Sequence, residues 1–446
     1  MKKKLFVISM DALVHEDIAY LRTKPNFSKL MADCAEVEKI CGVYPSITYP
    51  AHAAIFTGCR PGKHGIITNT EVTTYTPPQP LGWLTQDCFK VEDIFAAAKR
   101  AGCTTASVYW PICGNNPNID HVINEYIFPK RFRGMETIEG AFARMGADEV
   151  ALQAVRENHH RLPSTRGMGL KELVLTSEWD DFLMGCANTL IRNVQPDVLL
   201  VHNCWLDSLR HRHGVFNEKV TGGLDQTDLW LGELIDTMEQ AGVLEDTNFV
   251  LLSDHGHLNV HRSICPKVML ADAGLIRMDE NGELAHWDAY TVSCGFSAQI
   301  YLSRPDDEKL KSSVYELLKN AADEKLHGFE QVFTKEEVKE RYGLDGNFSF
   351  VVETDGFTSF HDSWTHPLVR SLDITDYRYG HATHGHMPER GPQPTFLAMG
   401  PSFQKGVVVP KGHILDQAPT FAKVLGIELP QAQGKAVDVL LRLKGA

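Results

Sequence analysis

The sequence predicts an α/β fold: a mostly parallel central sheet with helices on both faces and a small inserted α+β cap. Three observations predict it. Short apolar, β-branched runs alternate with amphipathic helical stretches, the pattern of a parallel sheet covered on both sides. Acidic and histidine residues collect just after several of those runs. The chain has 446 residues, of which 43% are hydrophobic and 23% charged. That size and composition allow a large core and exclude disorder, collagen and a small disulfide scaffold.

The elements follow in order. Residues 5–10 (LFVISM) read as a short buried first strand, and residues 51–58 (AHAAIFTG) as a short helix. Residues 91–101 read as a helix and 104–109 as the next strand. A helical stretch at 178–194 leads into a strand at 197–202 (DVLLVH). A helix at 224–241 leads into a strand at 247–253 (TNFVLLS). A late strand at 395–399 and a late helix at 415–425 complete the rhythm. Residues 286–362 break it, with a strand at 297–302, a charged helix at 306–319, a helix start at 334–342 and a strand at 348–353. This stretch reads as a module inserted into a catalytic domain made of residues 1–285 and 363–446. Open α/β sheets bind ligands outside the carboxyl ends of their strands, so an insertion on that edge would form a lid.

The charge balance is 44 Lys+Arg against 57 Asp+Glu, or −13. Such a chain is a poor partner for nucleic acid or an anionic membrane through its bulk field. A local phosphate site remains open to it if metal supplies the positive charge. The basic start MKKK is followed by an apolar run that ends at Asp11, shorter than the roughly 7–15 residues of a secretory signal. The uncharged stretch 40–59 is interrupted by Pro45, Pro50 and His52, so it does not read as a span. Ten scattered cysteines without a C-x-x-C suit reduced thiols and a cytoplasmic protein.

Four groups of metal-ligand type adjoin the strands. They are Asp11 after LFVISM, Asp207 and His211 shortly after DVLLVH, Asp254-His255 at the end of VLLSDHGH, and His381, His384 and His386 in GHATHGHMP. Zinc and related ions take imidazole nitrogen and carboxylate oxygen in sets of about four. Asp207 and His211 are four apart, so one helical turn points both to the same side. Three Asp and three His could hold two metals, as two-metal phosphoryl-transfer sites do. Each piece alone has a plainer reading. Asp11 suits a helix cap, Asp254 a turn before Gly256, and the histidine trio a solvated loop. Their shared position beside strands favours the joint reading.

A hydroxyl stands in VYPSITYPAHAAIFTGCRPGKHGI, residues 43–66. Thr48 precedes Tyr49-Pro50, and Pro is favoured in the first helical turn. Thr48 therefore sits near a helix N-terminus, where backbone N–H groups favour an anion. Its alkoxide needs a metal or a base near neutral pH. A helix cap is the plainer role for Thr48, and Ser46 is the rival hydroxyl in the same turn.

Together, T-Y-P-A-H, T-G-x-x-P-x-x-H-G-I, D-S-L-R-H, S-D-H-G and T-H-G-H resemble the alkaline phosphatase superfamily, and within it the type I phosphodiesterase/nucleotide pyrophosphatase family. The motifs run in family order from Asp11 to His384 and cover most of the chain. The resemblance implies an alkaline-phosphatase-like sheet and two zinc ions, though other divalent transition metals also suit these donors. By motif, Asp11, Asp254 and His255 would hold one zinc beside Thr48, the nucleophile. Asp207, His211 and His384 would hold the other. Asn69 matches the family Asn that hydrogen-bonds a phosphoryl oxygen; its plainer reading is a turn residue. The implied activity is metal-dependent hydrolysis of small phosphodiesters through a phospho-threonine intermediate. The partner would be a small phosphate ester, with a nucleotide among the candidates. Tyr49, Trp110 and Phe357 are the candidate aromatics for a base.

Two departures stand out. His257 follows S-D-H-G where the family usually has Met, and His386 stands in H-G-H where the family usually has Tyr. Rival readings are a phosphonoacetate-type C–P hydrolase, a phosphomonoesterase or mutase, and a metal-binding scaffold without catalysis. Cys59-Arg60-Pro61-Gly62-Lys63 superficially resembles the sulfatase C-x-P-x-R motif, but Lys63 replaces Arg and Cys59 reads as a buried thiol.

Overall fold

A computed structural model describes residues 3–70, 85–125, 137–163, 176–282, 284–376, 378 and 380–442. The first strand alternates its apolar residues between two cores, because successive strand side chains point to opposite faces. In β1 (Lys4–Met10), Phe6, Ile8 and Met10 join one core while Leu5 and Val7 join the other. Further strands follow as β2 (Ala35–Cys41), β3 (Thr105–Val108), β4 (His121–Ile123), β5 (Val198–Asn203) and β6 (Thr247–Leu252). Helices Ser177–Asn193 and Glu218–Gln240 pack on the first face. Helices Thr48–Thr57, Ile94–Arg100 and Gln417–Leu425 pack on the second.

The eight-stranded sheet has the order Val408–His413, β2, Phe396–Met399, β6, β1, β5, β3, β4. β1 pairs in parallel with both β5 and β6, matching Met10 to Asn203 and Ser9 to Leu252. These three strands therefore end on one edge, and that places the site. Phe396–Met399 runs antiparallel to both β2 and β6, the exception in a mostly parallel sheet.

A second, four-stranded antiparallel sheet has the order Ala289–Ser293, Ser297–Leu302, Phe350–Thr354, Phe329–Thr334. Helix Glu308–Asp323 buries Leu310, Val314 and Leu318 against it. Its core also takes in Ile264, Met269, Leu270 and Ile276, which lie before residue 286 in the chain. No helix among the described residues is long and apolar enough to cross a membrane.

Candidate active site

The parallel register brings three chain-distant segments to one edge. Asp11 follows β1, Asp207 sits in helix Trp205–His213 just after β5, and Asp254-His255 follow β6. A fourth segment reaches them through a short antiparallel ladder, Ala382–Thr383 on Leu258–Asn259, which pairs Thr383 with Leu258. His257 and His384 thereby become neighbours, with ring centroids 5.1 Å apart. His211 Nδ1 lies 2.7 Å from the Ala382 carbonyl of this ladder, and that leaves Nε2 facing Asp207.

Thr48 opens helix Thr48–Thr57, with Ile47 in the cap position, so Thr48 is not the cap. Its Oγ1 lies 3.2 Å from His255 Nε2. The same nitrogen lies 3.4 Å from Asp11 Oδ1 and 3.3 Å from Asp254 Oδ2. Around Asp207 Oδ1 stand His211 Nε2 at 3.4 Å, His384 Nε2 at 3.8 Å and His257 Nε2 at 2.8 Å. Donor atoms of Asp11, Asp207 and His255 lie within 4.8 Å of one another, so the two groups adjoin.

The spacing fits a metal. Donors about 2.0–2.1 Å from a tetrahedral zinc stand roughly 3.3–3.4 Å apart, whereas a good N–H···O bond spans about 2.7–3.2 Å. Asp11 Oδ1 and Asp254 Oδ2 are buried and make no hydrogen bond. Burial, then mutual charge, pushes the Asp11 carboxyl well up, and burial raises Asp254. Burial and neighbouring imidazoles hold His255, His257 and His384 well below the ordinary histidine range. Neutral imidazoles beside carboxylates that lack a cation form a donor set for a divalent ion.

Backbone and side chains fix these groups in place. Ala12 adopts φ +61, and its N–H donates to Asp254 Oδ1 at 3.3 Å. Buried Arg210 donates to the Ala12 carbonyl at 3.0 Å and pairs with Asp17. His52, one helical turn after Thr48, lies 2.8 Å from the Thr48 carbonyl and 3.4 Å from Asp254 Oδ2. Asn69 Oδ1 accepts the Tyr49 N–H at 2.9 Å, which leaves the Asn69 amide N–H₂ as a donor. Asn69 and Thr48 line a cavity of about 630 Å³.

The remaining sequence expectations divide. Ser46 is buried and donates to the Val43 carbonyl at 3.1 Å, away from the cavity lining. Cys59 is a buried free thiol against the Gln431 carbonyl. His257 joins the Asp207 group. His386 does not; it packs near Phe296, and His381 is exposed.

The aromatic expectations need correction. Trp110 is 0% exposed and packs edge-on against His52, 4.9 Å away, inside the core. Phe357 is 60% exposed and lines a separate shallow pocket with His261 and Arg390. Tyr49 lines the main cavity, but its ring is 2% exposed and its hydroxyl faces Glu125. Proximity to Thr48 in sequence says nothing about the side on which the helix or strand presents a ring. Besides Tyr49, the Tyr, Trp and Phe residues described in the cavity lining are Tyr109, Tyr290 and Trp364. Tyr290 comes from the edge strand Ala289–Ser293 of the second sheet, so that sheet forms a wall of the cavity. Lys267, whose Nζ lies 4.4 Å from the Tyr290 ring centre and 3.1 Å from Asp362, lines the same wall. No motif marks these residues, because packing of the second sheet brings them in.

Comparison with known proteins agrees with this geometry. Residues 5–386 match the family model described as type I phosphodiesterase/nucleotide pyrophosphatase. A Schizosaccharomyces pombe protein described as an uncharacterized pyrophosphatase/phosphodiesterase is 26% identical over 359 residues, or 77% of this chain and 60% of that protein. Human ectonucleotide pyrophosphatase/phosphodiesterase family member 1 is 22% identical over 239 residues, or 52% of this chain and 21% of that protein. The chain thus spans less than two thirds of either relative. Murine ectonucleotide pyrophosphatase/phosphodiesterase 5, solved as an inactive variant with AMP, superposes with a TM-score of 0.66 at 18% identity, covering 99% of this chain and 100% of that one. That likeness shows the fold, which is alkaline-phosphatase-like.

Proposed function

The chain belongs to the type I phosphodiesterase/nucleotide pyrophosphatase family, and we propose that it is a metal-dependent hydrolase that splits small phosphodiesters through a phospho-threonine intermediate on Thr48. The observation that carries this reading is the 3.2 Å approach of Thr48 Oγ1 to His255 Nε2, at the wall of the cavity. Asp11, Asp254, His255 and Thr48 would hold one zinc ion, and Asp207, His211 and His384 the other, with His257 bonded to Asp207 Oδ1 at 2.8 Å as its support. When bound, such a pair supplies Lewis-acid charge that eases deprotonation of the hydroxyl and of water and offsets phosphoryl charge.

The chain's own groups do the rest. Thr48 Oγ1 forms the new bond to phosphorus, and the alcohol side of the diester leaves. Water then splits the threonine ester and restores the hydroxyl. Thr48 is the first residue of its helix, so the positive end of the helix dipole there favours the phosphoryl oxygens. The Asn69 amide donates to one of them, held in place by its bond to the Tyr49 N–H. The AMP complex of the murine relative supports a nucleotide as one substrate form. Ten unbridged cysteines support a reducing, cytoplasmic setting.

The test pairs Thr48→Ala with wild type on a nitrophenyl phosphodiester in zinc. Turnover should fall by about three orders of magnitude or more, while elemental analysis shows zinc retained on the other donors. Acid-quenched wild type should carry a phosphoryl mass on the peptide that contains Thr48. Near-wild-type turnover by Thr48→Ala would overturn the assignment.

A further inference from the structure

The second sheet meets the site on the side of His384. The Phe296 N–H donates to the His384 carbonyl at 3.1 Å, and the Ser297 hydroxyl donates to the Gly385 carbonyl at 2.6 Å. Gly295 turns with φ +96, and a Cβ there would stand 2.2 Å from the His384 carbonyl oxygen. Edge strand Ala289–Ser293 therefore runs out from His384 along the cavity, and its Tyr290 and Ser293 line it. The Ser293 N–H and Lys267 Nζ both donate to Asp362 Oδ1, at 3.3 Å and 3.1 Å. Lys267 also donates to the Asp362 carbonyl at 3.2 Å, so Asp362 takes two of its three N–H groups. The ammonium lies 4.4 Å from the Tyr290 ring centre and 5.9 Å from a Trp364 ring centre.

We propose that Lys267 determines specificity for the leaving group: it selects a diester whose departing alcohol carries a carboxylate and turns away a cationic alcohol. This role rests on the proposed hydrolysis at Thr48 and concerns the leaving arm of that reaction. In an in-line displacement the nucleophile and the leaving oxygen lie on opposite sides of phosphorus. Thr48 stands beside His255, which directs the leaving oxygen toward the Asp207–His384 group and its arm along the wall that carries Lys267. The Lys267 side chain is 5% exposed and that of Asp362 39%. Water therefore screens the carboxylate far more than the ammonium, and the field inside the cavity is that of the ammonium. Burial works against the Lys267 charge, but Asp362 outweighs it and holds the ammonium above the ordinary lysine value. Arg378 also lines the cavity, but Asp376 holds it through both carboxylate oxygens. One ammonium beside Asp362 suits a monoanion better than a dianion, because each added charge also meets the Asp362 carboxylate. Tyr and Trp faces otherwise attract cations. Here Lys267 already occupies the faces of Tyr290 and Trp364, and its charge repels a cationic alcohol.

Three esters on one scaffold read the charge: methyl 4-carboxyphenyl, methyl 4-carbamoylphenyl and methyl 4-(aminomethyl)phenyl phosphate. Zinc-loaded wild type should favour the carboxylate over the carbamoyl ester in kcat/KM and disfavour the aminomethyl ester. Lys267→Met should shrink the carboxylate-to-carbamoyl ratio about ten- to hundredfold, the worth of a hydrogen bond to a charged group. It should also raise the aminomethyl ester relative to the carbamoyl one. Such ratios do not depend on the fraction of chain that is folded or loaded. Asp362→Asn keeps Lys267 and removes its counter-charge, so it should raise the carboxylate ratio. Calorimetry reads the subsite apart from turnover: 4-hydroxybenzoate should bind wild type more tightly than Lys267→Met, and 4-hydroxybenzamide should bind both alike. If no ester turns over while 4-hydroxybenzoate binding still depends on Lys267, the Thr48 reading falls and the subsite stands. If the esters turn over with equal ratios in wild type and Lys267→Met, the subsite falls and the Thr48 reading stands. Should Lys267→Met fail to fold, Asp362→Asn decides, and an unchanged or lower carboxylate ratio overturns the subsite.

Discussion

His257 Nε2 stands 2.8 Å from Asp207 Oδ1, a contact that ties the segment after β6 to helix Trp205–His213. Asp207 Oδ1 is also the atom that faces His211 and His384, so His257 acts on the donor at the centre of that group. His257→Met, which installs the residue usual in the family by resemblance, should weaken zinc retention about 10–100-fold, as loss of a ligand's supporting partner does. Chelator competition measures it; unchanged retention would reduce His257 to packing.

Asp207→Asn removes a full negative charge while nearly keeping the shape. Zinc content should fall by one equivalent per chain and phosphodiester turnover should fall with it. Elemental analysis decides, and an unchanged zinc count would argue against the Asp207 group as a metal site.

Asn69→Ala removes the amide donor and also the acceptor for the Tyr49 N–H. Loss of one such donor lowers kcat by about 10²–10³. Steady-state kinetics should show kcat falling more than KM rises. A change in KM alone would make Asn69 a ground-state binding group.

Arg210 is 0% exposed, pairs with Asp17 and donates to the Ala12 carbonyl. Arg210→Ala leaves the Asp17 charge buried and alone, at a cost of about 3–5 kcal/mol. Urea unfolding of the metal-free protein should show it, and a loss under about 1 kcal/mol would mean the pair is dispensable.

Glu353 is fully buried on strand Phe350–Thr354 and accepts from the Tyr44 hydroxyl at 2.7 Å and the Met387 N–H at 3.0 Å. Burial pushes its pKa from 4.5 up to about 8. The folded chain thus holds a proton that the unfolded chain has lost, and its stabilising effect falls as pH rises through this window and is gone above about 8. At about 1.4 kcal/mol per pKa unit the swing is a few kcal/mol. Glu353→Gln has no such swing, and its amide can still serve both partners. Thermal unfolding of metal-free protein should show the variant gaining on wild type between pH 5 and 9; a constant difference would place the ionised form in the folded state.

Much of this was legible locally. The short apolar runs LFVISM and TNFVLLS marked β1 and β6, because a strand buried on both faces of a parallel sheet is written as adjacent apolar residues. The four-residue spacing of Asp207 and His211 placed both on one helix face for the same reason. Ligand-type residues after strands pointed to a shared edge, since parallel strands end together.

Other features lay beyond any local pattern. Phe396–Met399 runs antiparallel because of how the chain returns between β2 and β6, and strand direction leaves no mark on burial. Trp110 follows β3 closely, yet it turns under helix Thr48–Thr57, while Trp364 and Tyr290 arrive at the cavity from the second sheet's side. His257 and His386 are equally close to ligand motifs in sequence, but the ladder of Leu258–Asn259 on Ala382–Thr383 turns His257 toward Asp207 and leaves His386 outside. The sequence by itself determined the donor types, the candidate hydroxyl Thr48 and the strands that carry them. Tertiary packing decided which spare imidazole, which aromatic ring and which oxygen of Asp11 faces the site, because side-chain direction depends on neighbours far away in the chain.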